Sequence, residues 1–205
     1  MARGKALAVP RALLIYCEGK TEAEYFNILL DLFRPPAYVT VEVCGQRGQH
    51  IALVDSVVAK RSELCGSDMG LVDEEIECWA VCDEDQMPCS YVELANYASE
   101  RNVNLVFSAP QFEMYLLQHF EQSGDANRLV VFKKLSGYRR QFGGEGDYDD
   151  NTKADLGWMR DAIDRKPKIV KTAVINAGLR NHTTKRPFLT VQNLVERIIN
   201  LSSLA

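Results

Sequence analysis

The sequence predicts an α/β fold in which a parallel sheet is covered by helices and followed by a mostly helical C-terminal extension. Three observations lead there. Short continuous apolar runs of strand length alternate with stretches of helical apolar periodicity up to about residue 121. Strands alternating with helices require right-handed crossovers, which place helices on both faces of a parallel sheet. Beyond Gln122 a mixed polar stretch gives way to helical patterns. The expected organisation is an α/β core over 11–121 and a basic, mostly helical extension over 122–205 packed on that core.

Ala12-Leu13-Leu14-Ile15-Tyr16-Cys17 is a continuous apolar run closed by Glu18-Gly19, as in a buried strand ending in a turn. Thr21 is the expected N-cap of the next helix, in which Tyr25, Phe26, Leu29, Leu30 and Phe33 recur until Arg34-Pro35-Pro36 stops the pattern. Val39 to Cys44 alternates valine with polar residues as a second strand, and Ile51 to Leu64 has helical periodicity with Lys60 and Arg61 outward. Ile76 to Cys82 is the third strand and Val103 to Phe107 the fourth. Between them Pro88 and Ser90 introduce a helix through Tyr91, Leu94, Ala95 and Ala98. Gln111 to Phe120 closes the core as a short amphipathic helix. In the extension, Leu129 to Phe132 precedes two basic pairs, and Gly143 to Asp150 lacks apolar periodicity and reads as a mobile loop. Helices are expected over Lys153 to Asp164, Pro167 to Arg180 and Thr190 to Leu201.

Composition excludes disorder for most of the chain and argues against a membrane span. Of 205 residues, 46% are hydrophobic and 25% charged, and no apolar run approaches the roughly 18 residues needed to cross a bilayer. Met1 to Pro10 lacks the apolar core of a secretory signal, so a cytoplasmic location with no membrane partner is expected. Six cysteines invite a disulfide reading, but Cys17, Cys44, Cys78 and Cys82 lie in apolar runs and the spacings match no paired zinc-ligand pattern, so buried free thiols are expected. The net charge of -4 conceals an asymmetry: residues 1–127 carry 9 basic and 20 acidic side chains, residues 128–186 carry 14 and 7. A basic second half suits a polyanionic partner that the average charge would not.

Ligands of parallel α/β sheets bind beyond the carboxyl ends of the strands, so the residues just after each strand are the candidates for chemistry. The first strand delivers Glu18, with Glu22 one helical turn later; the third delivers Asp83 and Asp85; the fourth delivers Ser108, with Glu113 soon after. Like charges in one cleft repel unless a cation neutralises them, and hard oxygen donors favour Mg²⁺ or Mn²⁺ over zinc. Glu18, Asp83 and Asp85 form one candidate metal set; Glu22, Glu113 and Ser108 form a second. The matched chemistry is phosphoryl transfer. Taken singly, each of these acids is more often a solvated loop carboxylate or a helix N-terminal one. Glu84 is expected to face away, and Asp73, Glu74, Glu75 and Glu77, which precede a strand, to be solvated surface. Gly19-Lys20-Thr21 has the tail of a phosphate-binding loop, but the glycine that motif requires upstream is Leu14 here; Lys20 can still meet a backbone phosphate.

These residues resemble the Toprim arrangement, a parallel α/β domain with a Glu after its first strand and Asp-x-Asp after its third. More closely, Ile15 to Glu22, Ala80 to Asp85, Ser108 to Glu113 running to His119-Phe120, and Pro187-Phe188-Leu189-Thr190 with Leu194-Val195 are similar to the RloB-like family over nearly the whole chain. The resemblance implies a Toprim-like metal-dependent nuclease of bacterial defence against phage, working with an ATPase partner of AAA or ABC type. It is distantly similar to OLD-type Toprim nucleases, which use a Glu, an Asp-x-Asp and further acids to bind two metals. Carried over, Glu18, Asp83 and Asp85 match the core catalytic motif, and Glu22 and Glu113 match the additional acids. Gln111 departs from the Cys or similar residue usual at its position, which bears on packing more than on metal binding.

The expected function is cleavage of RNA or DNA with Mg²⁺ or Mn²⁺ as cofactor, by a chain that is free to form a homo-oligomer. The alternative is a silent module of the same fold that docks an ATPase or holds nucleic acid. Nucleic-acid contacts are expected from Lys20, Lys133, Lys134, Arg139, Arg140 and Lys171, with Lys168 as a further cation and Tyr138 and Trp158 available to stack on bases. His119 is expected to pack or cap, and His50 and His182 belong to no constellation.

Overall fold

Every residue of β1 (Ala12–Cys17) is buried, which a run without polar positions permits in a sheet covered on both faces. The computed structural model, which describes residues 9–204, has that architecture. After β1 come α1 (Lys20–Leu32), β2 (Thr40–Cys44), α2 (His50–Cys65), β3 (Ile76–Asp83), α3 (Tyr91–Ser99), β4 (Val103–Ala109) and α4 (Glu113–Gln118). Then follow α5 (Arg128–Gln141), α6 (Gly157–Arg165), α7 (Lys168–Gly178), β5 (Phe188–Leu189) and α8 (Val191–Ser202). The sheet order is β2-β1-β3-β4-β5. The first four strands are parallel, as the sequence predicts, and β5 pairs antiparallel with β4.

Strand periodicity divides the interior into two layers. Leu13, Ile15, Cys17, Trp79, Val81 and Val106 face one side, where α1, α4 and the helices from α5 to α8 pack. Ala12, Leu14, Tyr16, Cys78, Ala80, Cys82 and Phe107 face the other, under α2 and α3. The extension thus shares a core with α1 and α4. Among the described residues no helix is long and apolar enough to cross a membrane. All six cysteines are unbridged; Cys17, Cys78 and Cys82 are buried and the other three half-buried.

Several local expectations are corrected. The N-cap of α1 is Gly19, and Thr21 lies buried inside the helix. Ser90 does cap α3, its hydroxyl accepting from Glu93 N while Glu93 Oε2 accepts from Ser90 N at 2.8 Å. The apolar run Leu129 to Phe132 is the start of α5. The next helix begins at Gly157 rather than Lys153, because Asp149 Oδ1 accepts from Asn151 N and Thr152 N at 2.9 and 3.0 Å and holds a turn. The segment expected to be a mobile loop is pinned. Tyr148 is 2% exposed, with its N–H on Ser136 Oγ at 2.8 Å. Arg139 donates to the carbonyls of Glu145, Thr152 and Asp155 and to Asp155 Oδ2. A Cβ at Gly144 would lie 2.4 Å from Arg139 Cγ, so glycine is required for this close approach.

Glu77, expected on the solvated surface, forms an ion pair with Arg197 of α8. Arg197 Nε donates at 3.0 Å and Nη2 at 2.6 Å, and Trp79 Nε1 adds a donor to Glu77 at 2.8 Å. The two charged side chains are 13% and 9% exposed. Removing one partner of so enclosed a pair strands the other charge. Arg197→Ala should therefore cost about 3–5 kcal/mol in urea denaturation, against about 1 kcal/mol or less for Arg160→Ala, whose pair with Asp31 is exposed. Equal losses for the two variants would show that the Glu77 pair carries no special weight.

Candidate metal centre at the carboxyl edge of the sheet

Parallel register places Cys17 beside Val81 and Asp83 beside Ser108, so β1, β3 and β4 end together. The ladder runs one step further: Glu18 N donates to Val81 O at 2.9 Å and Glu84 N to Ser108 O at 3.0 Å. Glu18 and Asp83 are thereby fixed at one edge by backbone pairing. Glu22 sits in the first turn of α1 and Glu113 opens α4, where the helix dipoles favour negative charge. A cavity of about 450 Å³ is lined by Glu18, Glu22, Asp83, Asp85, Glu113 and Lys153. An adjoining cleft of about 380 Å³ shares Asp83, Asp85, Glu113 and Lys153 and adds Arg128. All five acids singled out in the sequence therefore border one space. Ser108 is buried at this edge, its hydroxyl without a hydrogen-bond partner.

The electrostatics are unfavourable for a cluster of carboxylates alone. Glu22 and Glu113 are 6% and 4% exposed. Burial first and the Asp83 charge second push the Glu18 carboxyl up to about 7, against hydrogen bonds from Gln49 and the Asp83 backbone. Burial pushes Glu22 up to about 8, with repulsion from Glu113, Asp83 and Glu18 adding to it. Asp83 and Glu113 are raised as well, by burial foremost, and Lys153 opposes the rise in both. Asp83 keeps one local donor, Asp85 N, at 3.0 Å from Oδ1.

Two carboxylate oxygens, Glu18 Oε2 and Glu22 Oε2, are buried without any hydrogen-bond partner. Buried anionic oxygens of this kind need a cation or a proton, and an all-oxygen set suits Mg²⁺ or Mn²⁺. The donors thus fit such an ion in chemistry and in charge. They do not close round one: among the described residues no three His, Cys, Asp or Glu side chains are grouped so as to hold a metal ion as they stand.

The expected cations are distributed differently. Lys20 lines the acidic cavity. Lys133 and Lys171 are exposed on α5 and α7 and line neither cleft. Lys134 is held by Glu121 and Asp125 at 2.5 and 2.7 Å, and Arg140 pairs with Asp147. Arg139 is 4% exposed and occupied by the loop it clamps. Trp158 is buried against Phe120 and Tyr148, and Tyr138 stacks on Phe120 with centroids 4.2 Å apart, so both rings serve the core.

Sequence reasoning missed Lys153 and Arg128, two cations that reach the clefts beside Lys20. Both meet Asp150, Lys153 at 3.6 Å. Tyr148 was also missed; its hydroxyl lies 3.4 Å from Glu113 Oε1 and 3.3 Å from Lys153 O, tying a site acid to the backbone of the site lysine. His50, left outside any constellation, is buried and donates from Nε2 to Asp83 O at 3.2 Å. No local signal marks these four, because each is recruited by tertiary packing. His119 packs as expected: burial lowers its imidazole to about 4, Nδ1–H donates to Leu116 O at 3.1 Å, and Nε2 accepts from Tyr25 OH at 3.0 Å. Glu84, expected to face away, pairs with Arg186 and still lines the adjoining cleft beside Asp83 and Asp85.

Neither a curated protein nor a solved structure matches the chain significantly. A family model described as RloB-like protein matches residues 13–198. That span runs from the second residue of β1 into α8 and includes every acid of the cleft. The chain belongs to the RloB-like family.

Proposed function

We propose that this chain is a Mg²⁺- or Mn²⁺-dependent phosphodiesterase that cleaves nucleic acid, RNA or DNA. The observation that carries the reading is the pair of buried, partnerless oxygens Glu18 Oε2 and Glu22 Oε2 in a cleft shared with Asp83, Asp85, Glu113, Asp150 and Lys153. Glu18, Asp83 and Asp85 would hold one cation, and Glu22 with Glu113 a second. Bound there, the cations supply charge neutralisation to the transferring phosphoryl group. Lys153 balances the negative charge that builds on the phosphoryl oxygens, and Lys20 and Arg128 meet the flanking backbone at the cleft walls. Where the cation rests on Asp83 and Asp85 and leaves Glu18 free, the Glu18 carboxylate stands at the same sheet edge and can accept a proton from the attacking nucleophile. Resemblance to the family's motif set supports a role in defence against phage with an AAA- or ABC-type ATPase as partner.

A second reading, a silent module that docks an ATPase or holds nucleic acid, is favoured by one observation: no three acids are grouped to hold an ion among the described residues. It predicts nucleic-acid retention that falls with salt and no metal-dependent turnover.

Incubation of RNA and DNA substrates with Mg²⁺ or Mn²⁺ separates the two. Wild type should cleave one of them, and Asp83→Ala should lose about 100-fold or more in rate, since even outer-shell changes at metal sites cost 10–100-fold. Indistinguishable rates for wild type and Asp83→Ala would sink the phosphodiesterase.

The raised carboxyls also fix a pH dependence. Glu18 and Glu22, up from the ordinary 4.5 to about 7 and about 8, keep protons in the native state that the unfolded chain has already released. Their contribution to stability therefore falls as pH rises through that window in the absence of metal. A cation competes for the same oxygens. The rise in Tm on adding Mn²⁺ should thus be larger at pH 8 than at pH 6, measured by scanning calorimetry, and Glu22→Gln should shrink the difference. Equal increments at both pH values would argue against binding at these acids.

A further inference from the structure

Glu84 sits between the two acids of the Asp83-Glu84-Asp85 motif, yet it faces a cation. Arg186 Nε donates to Glu84 Oε2 at 3.0 Å and Nη2 donates to Oε1, a bidentate pair. Arg186 is brought there by β5: two residues on, Phe188 pairs with Ala109 at the end of β4. Its remaining anchor is Nη1 on Thr183 O at 3.2 Å. A guanidinium has five N–H donors, so two are left for an anion while the plane stays fixed by Glu84.

The same pair borders a cavity of about 400 Å³ walled by Met87, Cys89, Tyr91 and Thr183. Tyr91 is braced from behind, its ring centroid 4.8 Å from Phe188 and 5.1 Å from Phe107. Glu84 lines this cavity and the cleft of Asp83 and Asp85 alike, so the two spaces meet at one side chain.

We propose that the cavity is a second subsite for a nucleic-acid strand: Arg186, oriented by Glu84, binds the phosphate next to the one at the acidic cleft, and the cavity takes an unstacked base against Met87 and Tyr91. The inference rests on the phosphodiesterase reading in laying a strand across the cleft. It favours single-stranded substrate, because drawing a base out of a duplex into the pocket costs its pairing and stacking. Glu84 is a positioning residue here, and Arg186 a binding one.

Cys89 provides a readout that does not depend on turnover. It is half-buried in the wall of the cavity, whereas Cys65, also half-buried, closes α2 and is not among the residues that line it. The probe is a short single-stranded oligonucleotide with phosphorothioate linkages, tested as RNA and as DNA with Ca²⁺. At ten times its Kd it should slow alkylation of Cys89 by iodoacetamide about tenfold and leave Cys65 unchanged. Arg186→Ala should abolish the protection, and Glu84→Gln and Arg186→Lys should weaken it, with the Cys65 rate reporting that each variant is folded. Unprotected Cys89, or protection that survives Arg186→Ala, overturns the subsite. Cleavage of the ordinary oligonucleotide is followed in parallel. A chain that cleaves but leaves Cys89 unprotected loses the subsite and keeps the phosphodiesterase. One that protects Cys89 through Arg186 without cleaving keeps the subsite and loses the phosphodiesterase.

Discussion

Glu22 and Glu113 are buried within mutual repulsion at a sheet edge where Glu18 and Asp83 already stand, and the backbone offers them little beyond the first turns of their own helices. Nothing in the sheet can relieve this by sliding. A shift of one residue in β1 would move Leu13, Ile15 and Cys17 from the face packed by α1 and α4 to the face packed by α2 and α3. The apolar alternation of β1, β3 and β4 therefore fixes the register, and the register fixes the acids together. Hydrophobic burial holds in place an arrangement that electrostatics alone would disperse.

The second half of the chain answers that constraint with a rigid frame. Arg139 reaches across from α5 to three carbonyls and a carboxylate of the segment 145–155, and Gly144 lets the two come within reach. Tyr148 fills the core beneath and touches both Glu113 and the Lys153 carbonyl. Lys153 is consequently held at the acidic cleft by backbone anchors rather than by its own ion pair, which at 3.6 Å to Asp150 is loose. A lysine so placed can turn between Asp150 and a ligand without the segment moving.

What the sequence discloses follows from how local each signal is. The strands β1 to β4 and the helices between them rest on runs of five or more residues, and the acids are found because they directly follow strand ends. β5 is two residues long and exists only by pairing with β4, so no local pattern announces it. Glu77 is the second residue of β3, an acid in the otherwise apolar run Ile76 to Cys82, and looks solvated until Arg197 of α8 covers it. Arg139, Tyr138 and Trp158 look like ligands for a polyanion because basic and aromatic residues near one another carry that meaning in one dimension. Packing assigns them to a clamp and to the core instead. Lys153 is one of 14 basic residues in its region, and its selection is a tertiary event.

The charge asymmetry of the chain changes meaning once these pairs are in place. Lys134, Arg139, Arg140, Arg160 and Arg186 of the basic half are each engaged by a carboxylate of the same chain. These pairs draw part of the basic half into internal contacts, Lys133, Lys166, Lys168, Lys171 and Lys185 stay exposed, and the cations that line the acidic clefts are Lys20, Arg128 and Lys153. Against the seven carboxylates that line the two clefts this leaves them negative at any pH where most of those acids are ionised. A phosphate backbone is repelled by such a cleft until a divalent cation or protons reverse the balance. On the phosphodiesterase reading the five acids would hold the cations that make the cleft receptive to a strand, and the Arg186–Glu84 pair, where the acidic cleft meets the neighbouring cavity, offers a phosphate a cation that does not depend on them.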